Sequence, residues 1–354
     1  MEKFIAAHIV PTGVKASIGG YVGDATPATN AMASVCDYLI AHPNVVNAVS
    51  MDLARGNVLY VEGFSLDRFF RGEIGLRKVH SNKVGVVLDK GMKKESYDLA
   101  LNSIDAMRTV KGVNVIGYEI TKEIVDARAV KTKSNAFVGE IHNERALIDA
   151  CSSLIGKGAE AIAVSLAIKI DFNDLNAYFK GKSANPYGGT EAIISHLISK
   201  EFGIPCAHAP LLSPREIRKE MHSGVVDPRA AAEAIGPAYL GCVLQGLSNA
   251  PHLIRRHECI EEDITIDELD AIVMPYSCMG GVPALAAQKL DIPLIAVKEN
   301  RTVMKATPEK MGFRNVIPVN NYWEAVGVLA SMKEGIDFNE LRRPVKKLKL
   351  LKNL

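Results

Sequence analysis

Met274-Pro275-Tyr276-Ser277-Cys278-Met279-Gly280-Gly281 sets a thiol, two hydroxyls and two glycines between one apolar run at 269–273 and another at 282–290. The spacing predicts a buried strand, a sharp turn carrying Cys278, and a helix. A helix start presents unpaired N–H groups and the positive end of the peptide dipole, which lowers a thiol's pKa and attracts anions. Cys278 is therefore expected to be accessible and thiolate-leaning, an acid/base group or nucleophile, with Gly280 and Gly281 close to substrate. The polar stretch after the next apolar run adds Glu299, Asn300, Arg301 and Thr302. In a parallel sheet the carboxyl ends of adjacent strands share one edge, so these residues should meet Cys278 there.

Three further constellations have the residue types for a site. Pro11-Thr12-Gly13 and Gly19-Gly20-Tyr21-Val22-Gly23-Asp24 precede a helix start at Thr26-Pro27, and glycine N–H groups in such a turn can hold a carboxylate or phosphate. The spacing is neither G-x-G-x-x-G nor a Walker A loop, so a dinucleotide or nucleoside triphosphate site is not supported. His42-Pro43-Asn44, Tyr60-Val61-Glu62 and His80-Ser81-Asn82 stand at the ends of predicted elements, where open α/β sheets place ligands; singly, each also suits a cap or a turn. Thr190-Glu191, His196 and the run Cys206-Ala207-His208 form the third. Alternation along a strand puts Cys206 and His208 on one face, either as a structural pair or as two ligands of a zinc ion; two ligands make no metal site, so no metal is expected.

The elements that must position these groups follow from apolar periodicity. Short apolar runs at 6–10, 45–51, 58–61, 84–88, 113–118, 161–167, 204–207, 271–274, 294–297 and 315–319 predict strands. Amphipathic stretches at 27–40, 96–110, 145–157, 190–202, 228–247, 282–290 and 322–333 predict helices. This alternation is the signature of an α/β protein with doubly wound, mostly parallel sheets, read as two lobes with a cleft between them. The polar, Asn- and Gly-rich stretch 171–189 is the expected boundary, giving lobes at 1–170 and 171–340 and a basic tail at 341–354.

With 354 residues, 48% of them hydrophobic, the chain buries a sizeable core. Its 42 basic and 40 acidic residues leave no electrostatic reason for nucleic acid, and one tryptophan offers no base-stacking platform. Six scattered cysteines without C-x-x-C spacing suit a reducing cytoplasm. No leader and no apolar run of bilayer length is seen, so no membrane partner is expected; a homo-oligomer stays open.

Together, 10–13 and 18–24, His42-Pro43-Asn44-Val45, Tyr60-Val61-Glu62-Gly63, 84–89, Ser195-His196, 202–210, Gly280-Gly281 and Glu299-Asn300-Arg301-Thr302 resemble the signature of uncharacterised domain-of-unknown-function family 3326. The likeness runs from about residue 10 to 312 and implies no activity. Relatives are expected to carry Ala-Cys-Gly-Gly where this chain has Ser277-Cys278-Met279-Gly280-Gly281. A fainter analogy links Cys278 to aspartate/glutamate racemase-type enzymes, whose second cysteine has no counterpart, since Cys36 falls in a predicted helix.

These observations lead to a cytoplasmic enzyme without cofactor, acting on a small anionic substrate, a carboxylate- or amide-bearing metabolite, by proton transfer, isomerisation or C–N or C–X cleavage. Cys278, His208, His42 and Glu299 are the expected catalytic groups. Thr12, Gly19, Gly20, Asp24, Asn44, Glu62, His80, Gly280, Gly281, Asn300, Arg301 and Thr302 are expected to bind substrate. A nicotinamide-dependent oxidoreductase and a non-catalytic metabolite-binding or assembly protein are the alternatives.

Overall fold

The computed structural model describes residues 3–20, 24–45, 54–133, 137–180, 182–209 and 239–345, with residues 228, 347 and 348. Its largest unit is a six-stranded, all-parallel sheet ordered β15-β14-β13-β1-β2-β3, made of β1 (Ile5–His8), β2 (Tyr38–Ala41), β3 (Val58–Tyr60), β13 (Ala271–Pro275), β14 (Leu294–Val297) and β15 (Val316–Val319). Starting at its middle, the chain winds outward through β2 and β3, and after a long excursion winds the other way through β13 to β15. That is the doubly wound order, with its switch point between β1 and β13.

Side-chain alternation explains why this sheet is covered on both faces. Ile5, Ala7, Ile40, Ile272, Leu294 and Ala296 point into one core with α2 (Gly63–Phe70) and α8 (Val282–Leu290). Ala6, Leu39, Ala271, Val273, Ile295 and Val297 point into the other, with α1 (Thr26–Ala33) and α10 (Tyr322–Lys333). Runs buried on both faces read as continuous apolar segments, which is why these strands stand out in the sequence.

The excursion builds a second parallel sheet, β11-β9-β5-β6, from β5 (Val84–Leu88), β6 (Val115–Ile120), β9 (Ala161–Ser165) and β11 (Cys206–His208). One face packs with α3 (Lys94–Lys111) and α7 (Tyr239–Ser248), the other with α4 (Glu144–Gly156) and α6 (Pro186–Phe202). The first of these cores also contains Val10, Ala41, Val45 and Tyr60 from the large sheet, so the two sheets are joined through shared apolar packing. Smaller pieces complete the fold: the antiparallel pair β7 (Ala127–Lys131) and β8 (Phe137–Ile141) with β10 (Ile168–Lys169), the pair β4 (Ile74–Arg77) and β12 (His252–Arg255), α5 (Phe172–Phe179), and α9 (Pro308–Met311).

The sheets do not divide at 170/171. Strands from 5–60 pair with strands from 271–319, and β9 pairs with β11 across the expected boundary. The helix expected over 27–40 ends at Ala33, and 38–41 form β2 instead. Asp37 causes the switch: its carboxylate accepts from Phe4 N–H at 2.8 Å and its own N–H donates to Phe4 C=O, which starts the parallel pairing of β2 with β1. Most of the strand expected at 45–51, and residues 229–238 of the helix expected over 228–247, lie outside the described residues; the rest of that helix is α7.

Candidate functional site at the meeting of two helices

The switch point is where a doubly wound sheet ordinarily opens a ligand crevice. Here the chain's own groups bond across the loops that follow β1 and β14. Asn300 accepts from Ile18 N–H at 3.0 Å and donates to Ile18 C=O at 2.9 Å, Ser17 N–H donates to Arg301 C=O at 2.8 Å, and Val303 N–H donates to Val14 C=O at 3.0 Å. The glycine turn and the polar stretch after β14 are thus brought together, by hydrogen bonds of the chain to itself.

The groups expected to hold an anion are spent inside this closure. Gly19 and Gly20 both adopt φ +87°, a left-handed conformation that glycine takes without strain; Gly19 N–H donates to Asp24 Oδ1 at 2.8 Å and Gly20 N–H to Asn44 C=O at 3.3 Å. Asn44 donates to the carbonyls of Val10 and Pro11. Residues 21–23 of the turn lie outside the described residues. Glu299 accepts from Tyr322 N–H at 2.7 Å, which satisfies the first turn of α10. The Arg301 side chain is exposed.

Cys278 departs from its expected role for a physical reason. Helix α8 starts at Val282 with Gly281 as its N-cap, so the cysteine stands a full turn too early for the helix dipole to reach it directly. Only 4% exposed and packed in an apolar core, its thiol is pushed up by desolvation, against smaller lowering contributions from Thr302 and Ser277. Its sulfur lies 3.4 Å from Thr302 Oγ1, itself 2.8 Å from Ser277 Oγ. Gly280 is exposed beside Ala306, and Gly281 is exposed.

His8 and His42 close the same sheet edge as neutral rings. Thr29 commits its hydroxyl hydrogen to Ala25 C=O at 2.8 Å, so it accepts from His8 Nδ1–H at 3.1 Å; His8 Nε2 then accepts from Tyr322 O–H at 3.1 Å, and Tyr322 accepts from Asn300 Nδ2–H at 2.8 Å. His42 Nε2 accepts from Val10 N–H at 3.0 Å. Burial lowers His8 to about 3, with a further push from His42, and lowers His42 to about 4. His42 is therefore a structural acceptor with its Nε2 taken. His80 is exposed just before β5, at the opposite, amino-terminal end of the second sheet.

A different cluster gathers where α2, which covers the large sheet, packs against α6, which covers the second. Glu62 is the N-cap of α2 and is buried: its carboxylate accepts from Phe64 N–H at 2.9 Å and Ser65 N–H at 3.1 Å, and lies 3.4 Å from Ser195 Oγ, whose hydroxyl has a nearer acceptor in Glu191 C=O at 3.1 Å. His196 Nε2 lies 3.1 Å from Glu62 Oε1. The side chains are 42% and 1% exposed, so a buried carboxylate backs a solvent-reaching imidazole. The contact is close but is not aligned as a hydrogen bond, so it is an ion pair when the ring is protonated.

One turn earlier on α6, Glu191 Oε1 lies 3.4 Å from His208 Nδ1. His208 Nε2 accepts from Leu166 N–H at 3.2 Å, so its Nδ1–H points the donor at Glu191; His208 holds the carboxylate in place and keeps no free nitrogen. Tyr60 lies between these groups, its hydroxyl pushed well up by burial and then by Glu62, Cys206 and Glu191. Cys206 is fully buried, its thiol raised by desolvation and then by Cys151 and Glu62. Among the described residues no group of three or more His, Cys, Asp or Glu is arranged to hold a metal ion.

Close backbone approach sets the position of α6. A Cβ at Gly189 would stand 2.3 Å from Phe137 O, and one at Gly139 would stand 2.5 Å from Thr190 Cα, so the helix lies directly on β8. Thr12 touches the helix start, since a Cβ at Gly188 would lie 3.1 Å from Thr12 Cγ2. Ile194 and Ile198 then anchor the helix in the core, each contributing roughly 1.5–3 kcal/mol by burial. The Glu62–His196 pair escapes sequence reading because its partners are far apart in the chain and follow no motif; the signal was a helix over 63–70, legible in Leu66, Phe69 and Phe70, which makes Glu62 a cap.

Among the described residues no helix is long and apolar enough to cross a membrane. A protein of Synechococcus sp. named an uncharacterised lipoprotein is 38% identical over 334 residues, covering 93% of this chain and 90% of that protein. The family described as "Protein of unknown function (DUF3326)" matches residues 5–342, and the chain belongs to it.

Proposed function

We propose that the protein is a small-molecule enzyme that moves a proton on a polar metabolite, with His196 as its acid/base group and Glu62 as the carboxylate that orients it. The observation that carries this reading is the 3.1 Å contact between a 42% exposed imidazole and a 1% exposed carboxylate. A carboxylate beside Nε2 orients the ring and leaves Nδ1 to take or give a proton. Return of that proton to a different atom gives isomerisation; its delivery to a departing nitrogen or heteroatom gives C–N or C–X cleavage. Glu191, held by His208, supplies a second carboxylate on the same helix. The cysteine chemistry suggested by the sequence has no place in this scheme, because Cys278 is buried with a raised pKa.

Incubation with a panel of small carboxylates and amides in D2O, followed by NMR, tests the reading. Deuterium incorporation or product formation should appear with the native protein and vanish in His196→Gln. Turnover that survives His196→Gln removes this histidine from the chemistry.

The six cysteines, none in a disulfide, support residence in the cytoplasm. Cell fractionation tests this against the lipid anchoring that the Synechococcus protein's name describes for that protein. Recovery in the membrane fraction would overturn it.

A further inference from the structure

A cavity of about 570 Å³ opens beside the α2–α6 contact, lined by Phe64, Arg68 and Ile74 on one side, Lys200, Glu201, Phe202 and Gly203 on another, and Leu253, Arg255 and Glu258 on a third. Its volume lies in the range of small-metabolite sites. Phe64 and Arg68 are four apart on α2, and His196 and Lys200 are four apart on α6, so each pair shares a helix face. The rings of Phe64 and His196 are 6.2 Å apart between centroids, so the cavity begins one ring away from the proposed acid/base group.

Its lining has two kinds of surface. Phe64, Phe202 and Leu253 offer a small apolar edge, with Ile74 buried beneath it, in a lining that is otherwise polar. Arg68, Lys200 and Arg255 bring three cations from three separate elements against two carboxylates, Glu201 and Glu258. Arg68 is tied to Glu73 at 3.0 Å, whereas Lys200 and Arg255 form no ion pair among the described residues. Lys200 also suits the negative end of α6, but Arg255, at the end of β12, stands at the start of a short 3-10 turn over Arg256–Glu258, the end of a helix that does not favour a cation.

From this we infer that the cavity binds a small carboxylate carrying an apolar or aromatic body, its anion on Lys200 and Arg255 and its body on the two phenylalanines. This names a substrate class for the proton-transfer site and rests on that reading for its catalytic meaning. Binding itself can be measured without it.

Benzoate is the probe and benzamide its neutral counterpart, each titrated against the full chain by ligand-observed NMR. Benzoate should bind saturably, bind more weakly as salt rises, and bind at least about tenfold better than benzamide, because charge-assisted contacts decide the difference. The double variant Lys200→Gln/Arg255→Gln should lose about tenfold or more, and Lys200→Arg/Arg255→Lys should restore most of it. Both sites are exposed, so the variants should stay folded. Equal binding of benzamide, no saturable binding of benzoate, or indifference to the double variant overturns the inference. His196→Gln should leave benzoate binding intact; retained binding together with turnover insensitive to His196 would defeat the proton-transfer reading alone.

Discussion

Asn300 holds Ile18 by both of its backbone groups, accepting from its N–H at 3.0 Å and donating to its carbonyl at 2.9 Å, while its second amide hydrogen goes to Tyr322. A side chain expected to contact substrate is instead the staple that closes the switch point of the large sheet. Its hydrogen-bonding capacity is spent on the chain itself.

Asn300→Asp should accordingly destabilise the fold while keeping its shape. The new oxygen faces Ile18 C=O and the Tyr322 hydroxyl oxygen in place of a donor, and Asn300 is only 1% exposed. A loss of about 2–4 kcal/mol is expected, measured as a shifted urea midpoint. A variant as stable as the native protein contradicts the staple.

His8 and His42 make the protein acid-sensitive, and the sign follows from their lowered pKa values of about 3 and about 4. As pH falls below the ordinary 6.5, the unfolded chain takes up these protons and the folded chain does not. Stability therefore drops on acidification between pH 6.5 and about 4, by on the order of 3 kcal/mol for each ring once fully expressed, and is independent of these groups above pH 7. Urea midpoints recorded from pH 7.5 to 4.5 should fall less steeply in His42→Gln, which keeps an oxygen acceptor for Val10 N–H. Parallel profiles would remove His42 as a source of the sensitivity.

Cys278 should be chemically quiet. Iodoacetamide at pH 7 should label it only on the timescale of unfolding, since its thiol is enclosed and raised by desolvation, and Cys36 and Cys151, both pushed up to about 12, should behave alike. Cys278→Ala should cost about 1 kcal/mol and leave turnover unchanged. Rapid labelling of the native protein, read by peptide mass spectrometry, would restore the cysteine to consideration.

Glu62 and His196 should separate stability from activity. Glu62→Gln brings an amide donor among Phe64 N–H, Ser65 N–H, Ser195 O–H and His196, and should lower stability by about 1–3 kcal/mol as well as abolish turnover. His196→Gln, on an exposed side chain, should change stability by less than about 0.5 kcal/mol and still abolish turnover. If both variants lose only stability, the pair is a helix cap and nothing more.

Gly189→Ala tests the placement of α6. With Phe137 O only 2.3 Å from the added carbon, helix and strand must part, at about 2–4 kcal/mol or more. A thermal midpoint within a degree of the native value would show that the close approach carries no energy.

The parallel strands were legible because they are buried on both faces. Val84 to Leu88 and Leu294 to Val297 have the expected limits, and Val282 to Leu290 is the expected helix. Strand β2 was not, because its start is a tertiary decision, Asp37 binding Phe4 just before β1; helix α2 shows its spacing in Leu66, Phe69 and Phe70, but its pairing through Glu62 with a helix more than a hundred residues away does not show. The antiparallel β4 and β12, with Gly75 and His252 among short mixed runs, carry too little period to mark them. For the expected site, residue types directed attention to the sheet edge, but no pattern in Gly19, Asn44 or Asn300 reveals whether their hydrogen bonds go to a ligand or to the chain.

Pairing Ala6 with Ala271 has a consequence for how the molecule is made. The ribosome releases β1 to β3 long before their partner β13 exists, whereas β5, β6, β9 and β11 are all neighbours in one contiguous stretch. During synthesis the inner sheet can close while the first three strands wait with an open edge, and the long loop between β1 and β13 must be shut last, a slow step. The nascent chain is thus most exposed to mispairing at 5–60, and a stall or truncation anywhere before 271 leaves that edge without its partner.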